Sequence, residues 1–195
     1  MTNAEAVERL RASLGERFQG VDEFRGETTV RIDLAAVEET AKLLKEMGYR
    51  TLVDLTAIDH WGEEARFEMV YHFFSPDSGM LLRLKGRVEG EEPLVPSLAA
   101  VFATANWQER EAFDMMGIRF AGHPDLRRIL MWEEYPFYPL RKDFPLEGKA
   151  SDAGGEAFSR PAPMDGGPYV TQPAKESGRR EPHAHPADAL QEENR

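Results

Sequence analysis

The densest run of side chains able to do chemistry is Glu109-Arg110-Glu111-Ala112-Phe113-Asp114. On a helix, Arg110 and Asp114 stand one turn apart as a candidate ion pair, and Glu111 and Asp114 share a face. Two carboxylates on one face could move protons on a substrate or bind a hard metal ion. No second catalytic group is in view, so the favoured reading is an ion-pair network that fixes this helix against Arg-rich loops. Acid–base work is its alternative. The run Gly122-His123-Pro124-Asp125-Leu126-Arg127-Arg128 follows. A His near an Asp resembles part of a triad, but no Ser is placed as a nucleophile and the chain contains no Cys. His123 therefore reads as a hydrogen-bonded structural group. Arg119, Arg127, Arg128, Arg141 and Lys142 form a positive island in an acidic chain. Guanidinium forks suit carboxylates and phosphates. Phosphate binding usually brings a Gly-rich loop opening a helix, whereas Gly154-Gly155 and Gly166-Gly167 follow no strand. Carboxylates of this chain or of a neighbour are the expected partners. His183-Ala184-His185 offers two metal ligands in a flexible context, a weak signal. His60 and His72 stand singly in strand-like runs and read as structural.

The elements that must position these residues follow from periodicity. Thr2-x-x-Glu5 is a capping box, and Val7, Leu10, Leu14 and Phe18 recur at helical spacing behind it. Glu27–Ile32 alternates, with Thr28, Val30 and Ile32 on one face. Asp33 can cap a second helix carrying Leu34, Val37, Ala41 and Leu44, stopped by Gly48. Three strand-like runs come next, at 51–59, 67–74 and 80–88; the aromatics Phe67, Tyr71 and Phe73 are core by spacing. Ser75-Pro76-Asp77-Ser78-Gly79 makes a hairpin turn of the last two. Ser97 can cap a short helix through Leu98, Val101 and Phe102. Asn106 opens another, with Glu109 as its capping partner and Gly117 as its end. From Ile118 on the chain reads as loop. The order predicts an α+β fold: a two-layer sandwich, a mixed sheet of about four strands with helices on one face.

Composition bounds the rest. With 195 residues the chain is one domain plus an appendage, and 41% apolar content supports a core. No apolar run suits a membrane span or a secretory signal. Net charge −11 disfavours nucleic acid and anionic membranes as partners. Zero cysteines exclude disulfides, thiol catalysis and thiolate-held clusters. Residues 1–146 form the body, and 147–195 a long extended tail in which Pro and Gly supply about a quarter of the positions. Such a tail cannot offset its ordering entropy alone. Its expected place is on partner subunits, anchored by Phe158, Met164, Tyr169, Val170 and Leu190.

The string EREAFDMMGIRFAGHPDLRRIL at 109–130 resembles the signature of the NuoC-type, or 30 kDa, subunit of respiratory complex I. Its fixed positions are filled by Glu109, Arg110, Glu111, Asp114, Met115, Met116, His123, Arg127, Ile129 and Leu130. Tyr138-Pro-Leu-Arg-Lys-Asp-Phe-Pro145, with Arg141, Lys142 and Asp143, resembles the family's second block, and Leu55-Thr-Ala-Ile-Asp59 is similar upstream. The resemblance covers roughly residues 30–146. It implies a non-redox structural subunit in the peripheral arm of NADH:quinone oxidoreductase, a translocase that passes electrons from NADH through FMN and iron–sulfur clusters to quinone. This chain would hold no cofactor and no metal, the FMN and clusters lying in partner subunits. Its main partner would be the hydrogenase-large-chain-like (49 kDa, NuoD-type) subunit, and its place the cytoplasmic side of the inner membrane, peripheral. The equivalent subunit of a membrane-bound nickel–iron hydrogenase or other complex I-like enzyme is the alternative. A free-standing acid–base enzyme using Glu111, Asp114 and His123 is a third reading.

Overall fold

A computed structural model of the chain describes residues 2–145. The tail anchors Phe158, Met164, Tyr169, Val170 and Leu190, and the His183/His185 pair, lie outside the described residues. The chain divides into two units, Met1–Glu133 with Tyr138–Asp143, and Glu134–Phe137 with Phe144–Arg195. Among the described residues of the second unit, the Tyr135 and Phe137 rings meet edge to face at 5.6 Å, and Phe137 lies 5.9 Å from Phe144.

In the first unit, Thr2 opens helix α1 (Asn3–Leu14) with the expected capping box, both reciprocal bonds being made. Ala6, Val7, Leu10 and Leu14 face the core. Phe18 does not extend this helix. Gly15 ends it at φ 55°, and Phe18 instead begins β1 (Phe18–Phe24), a strand that the helical spacing of Phe18 conceals. Arg25-Gly26 turns the chain into β2 (Glu27–Ile32), where Thr28, Val30 and Ile32 point inward as the alternation predicts. Asp33 accepts from the Ala35 N–H and caps a single 3-10 turn, which leads into α2 (Val37–Glu46) with Val37, Ala41 and Leu44 buried.

The strands β3 (Thr51–Asp59), β4 (Phe67–Ser75) and β5 (Met80–Val88) follow. The Ser75–Gly79 turn joins β4 and β5 as an antiparallel hairpin. The sheet has five strands in the order β1-β2-β5-β4-β3, with β2 and β5 parallel and the other neighbours antiparallel. It is therefore mixed, as expected, with one strand more than predicted. Val30, Ile32, Phe67, Met69, Tyr71, Phe73, Leu82 and Leu84 share one core with the apolar faces of α1 and α2 and with Ala105 and Ala112 of α3 (Ala105–Met116). The opposite sheet face is a lattice of cross-strand pairs. Arg83 donates to Glu27, Thr29 and His72, and Lys85 donates to Glu68.

Two expectations about the next segment are corrected. Leu98–Phe102 closes only turn-type bonds onto the Leu98 carbonyl and forms no helix. Asn106 does not cap α3: the N-cap is Thr104, whose hydroxyl instead donates to the Leu52 carbonyl of β3, and Gln108 donates to the Val53 carbonyl. Two short strands, β6 (Leu94–Pro96) and β7 (Arg119–Ala121), pair in parallel on either side of α3 in sequence, and β7 lies where the sequence reads as loop. Among the described residues no helix is long and apolar enough to cross a membrane.

Candidate functional site

Helix α3 carries its polar signature inward. Glu109, Arg110 and Asp114 are all buried, while Glu111 lies at the surface. Arg110 and Asp114 are not an ion pair. Arg110 donates from Nε to the Arg127 carbonyl (3.1 Å) and from Nη2 to the Arg128 carbonyl (3.0 Å), and its guanidinium lies 5.1 Å over the Trp107 ring. Asp114 instead takes Arg128, whose Nη1 donates to Oδ1 at 2.5 Å and to the Asp114 carbonyl at 2.9 Å. Its Oδ2 accepts from three successive backbone N–H groups, Ile129 (2.9 Å), Leu130 (2.6 Å) and Met131 (2.8 Å). Burial alone would raise this carboxyl, but the Met131 N–H and the Arg128 guanidinium, with the other two amides, hold it below the usual carboxylate range. Local helical spacing misses this because the partners lie 14–17 residues away.

Glu111 is exposed while Asp114 is buried and taken up by Arg128 and three backbone amides, so the two carboxylates form no joint acid–base or metal-binding pair. Among the described residues no three His, Asp or Glu side chains are grouped to hold a metal. Glu109 is not a capping partner: its Oε2 accepts from Ser97 Oγ and its Oε1 from the Leu98 N–H, both at 2.6 Å. The His123 side chain is wholly buried, bonded through Nε2 to the Asn106 carbonyl (3.0 Å) and through Nδ1 to the Asp125 N–H (3.0 Å). Those two bonds fix the Nε2–H tautomer.

The positive island disperses onto carboxylates of the same chain. Arg119 faces Glu92 (3.8 Å), Arg127 faces Asp125 (2.9 Å) and Arg141 faces Glu91 (3.3 Å), with Arg128 on Asp114. Lys142 contributes its backbone N–H, which donates to Asp59 Oδ2 at 2.8 Å.

A second buried cluster, centred on Arg66, is one that sequence spacing does not reveal. Arg66 grips Asp59 through two parallel bonds of 2.8 Å, and also reaches Glu91 (3.0 Å) and Asp143 (2.5 Å). The bond from Arg66 outweighs desolvation and holds Asp59 below its usual range, and Asp143 likewise. A signal was present: Asp59 ends one of the two flanking blocks singled out by resemblance, and Lys142 and Asp143 belong to the other. The second block is locked further at Gly117, which ends α3 at φ 75°. A Cβ there would lie 2.6 Å from Arg141 Nη2 and 2.7 Å from the Tyr138 ring, so only glycine lets this segment pass. Arg141 stacks 4.6 Å over Tyr138 and donates to the Met116 carbonyl at 2.7 Å.

Chemically, the assembly fixes α3, the 127–131 loop and the 138–143 segment as one brace. Several large apolar side chains remain at the surface around it, among them Trp107 (62% exposed), Leu130 (62%) and Leu140 (55%).

Residues 30–150 match the family described as the respiratory-chain NADH dehydrogenase 30 kDa subunit. An NADH-quinone oxidoreductase subunit of this type from Rhizobium etli is 46% identical over 174 residues, covering 84% of this chain and 87% of its own length. That coverage, about 164 residues, exceeds the body and runs into the Pro/Gly-rich segment. Its counterpart in Geotalea uraniireducens, also named as an NADH-quinone oxidoreductase subunit, is 44% identical over 147 residues, covering 75% and 90%. Among solved structures, the trypsin-resistant fragment (1-134) of Nqo5 superimposes with a TM-score of 0.58 at 28% identity, covering 65% of this chain and all of the fragment. A chain of the archaeal membrane-bound sulfane sulfur reductase shares the fold, with a TM-score of 0.65 at 21% identity over 74% of this chain and 86% of that one.

Proposed function

The chain belongs to the 30 kDa subunit family of the respiratory-chain NADH dehydrogenase, and from that premise we propose that it is a non-redox structural subunit in the peripheral arm of proton-translocating NADH:quinone oxidoreductase. It binds the hydrogenase-large-chain-like subunit on the cytoplasmic side of the membrane and touches the bilayer only through the complex. FMN and the iron–sulfur clusters reside in its partners; a chain with no cysteine offers no thiolate to ligate a cluster.

The observation that carries this reading is where the signature residues are engaged. Arg110, Asp114, His123, Arg128 and Arg141 bond to backbone or side-chain groups of this chain, so they shape a surface, as a docking subunit requires. Exposed Glu111, Trp107 and Leu130 are what that brace presents to a neighbour. A hydrogen bond made by a charged group contributes about 1.5–3 kcal/mol. Arg110→Ala, which leaves the part-buried Arg127 and Arg128 carbonyls without their charged donor, is therefore expected to lower the amount of assembled complex while turnover per assembled complex stays near wild type. Glu111→Ala should weaken assembly without destabilising the isolated chain. Normal assembly with quinone reduction abolished would defeat the scaffold reading. The nearest rival keeps the fold and changes the enzyme, as the sulfane sulfur reductase likeness illustrates. The subunits that co-purify distinguish them, an NADH- and FMN-binding partner supporting the first and a nickel–iron partner the second. A free-standing acid–base enzyme would require turnover by the purified chain alone.

A further inference from the structure

Glu109 is the one buried carboxylate of the signature with no guanidinium or ammonium partner among the described residues. Its side chain is wholly buried. The nearest basic group is the His123 imidazole, with Nε2 4.0 Å from Oε2, and that nitrogen already donates to the Asn106 carbonyl. Beneath it on β4, the Tyr71 hydroxyl is buried, has no hydrogen-bond partner among the described residues, and lies within electrostatic reach of Glu109. The other charged groups nearby are committed elsewhere. On α3, Arg110 and Asp114 turn to the 127–131 loop. On β3, Asp59 is held by Arg66 and Asp54 faces His72. From α2, Lys45 donates to the Val101 carbonyl, and Arg119 of β7 faces Glu92 at the surface.

We propose that Glu109 is a proton-binding site of the folded chain, and that its charge state sets how the Ser97–Leu98 turn is held to α3. A buried carboxylate that accepts only one hydroxyl and one amide is poorly compensated for lost hydration. Desolvation accordingly raises this carboxyl to about 7, against the opposing pull of the Ser97 and Leu98 bonds. Uptake of a proton from solvent reverses the 2.6 Å bond to Ser97. Glu109 becomes the donor, Ser97 Oγ accepts from it as well as from the Ala99 N–H (3.1 Å), and the Leu98 N–H keeps its acceptor. The unfolded carboxyl has the ordinary value of 4.5. Stability from this residue is therefore fully present below that value and is lost as pH rises through about 7. The proposal stands on the fold and does not depend on the assembly role.

The test uses the full-length chain with carbon-13-labelled glutamate, its carboxyl resonances followed from pH 4 to 9, and urea unfolding at the same pH values. The expected result is one carboxyl that titrates near neutrality, absent in Glu109→Gln, with the wild type losing stability across that step and the variant not. Ser97→Ala removes a charge-assisted bond from the ionised form and only a weaker neutral one from the protonated form, so it should move the midpoint upward, and it keeps the test decisive should Glu109→Gln fail to fold. The proposal is overturned if every glutamate of the wild type titrates in the ordinary range, if the neutral step persists in Glu109→Gln, or if Ser97→Ala leaves the midpoint where it was.

Discussion

Replacing Asp114 by asparagine isolates the brace's central charge while preserving side-chain volume. The carboxylate accepts from Arg128 on one oxygen and from three amides on the other. An asparagine can present its carbonyl to the amides or to the guanidinium, but its NH2 group then points at the other donors. Asp114 is fully buried and the Arg128 side chain is 9% exposed, so solvent cannot substitute. Breaking such a pair costs about 3–5 kcal/mol, a large share of the roughly 5–15 kcal/mol that holds a domain folded. With a urea m-value of about 2 kcal/mol/M, the unfolding midpoint of Asp114→Asn should fall by about 2 M. The three tryptophans provide the fluorescence signal. pH supplies a second axis. The Asp114 carboxyl is held low in the folded state, so its contribution is present above the ordinary carboxylate range and is lost as pH falls through the lowered folded value. The gap between wild type and variant should thus be widest near neutrality and close in acid. A midpoint shift under about 0.3 M at pH 7, or a gap that widens in acid, would refute the argument.

The Arg66 cluster and the glycine crossing give further outcomes. Arg66→Met leaves Asp59, 1% exposed at its side chain, without its two-point grip, and a loss of about 3–5 kcal/mol is expected on chemical denaturation. Limited proteolysis should then cut faster within 138–143, since Asp59 and Arg66 both hold that segment. Gly117→Ala forces a Cβ into Arg141 and Tyr138 at a left-handed backbone position. The conformational part alone is about 1–2 kcal/mol, and a melting temperature within a degree of wild type would contradict the packing described.

What could be read from the sequence was whatever local rules decide. The Thr2–Glu5 box, the alternation of Glu27–Ile32 and the Ser75–Gly79 turn each involve residues within a few positions of one another, and each is found as expected. Phe18 misled because a residue four places beyond Leu14 fits a helix equally well, and only the Gly15 conformation ends it. Within α3 the same rules named the right residues and the wrong partners. Arg110 and Asp114 fit a one-turn pair, yet tertiary donors and acceptors 14–18 residues along the chain take both, because the 127–131 loop lays its backbone carbonyls and amides against the buried side of the helix. The Asp59–Lys142 contact, 83 residues apart, has no local trace. Family resemblance marked both ends of it without showing that they touch.

The hydrogen bonds that Thr104 and Gln108 send to the Leu52 and Val53 carbonyls cover the start of one margin of the sheet, at β3. The opposite margin of the sheet is β1. There Asp22, paired across to Arg31 of β2, and Glu23 put carboxylates on the outermost strand. Carboxylates on an outermost strand disfavour the addition of another strand, so charge guards the margin that the helix leaves open.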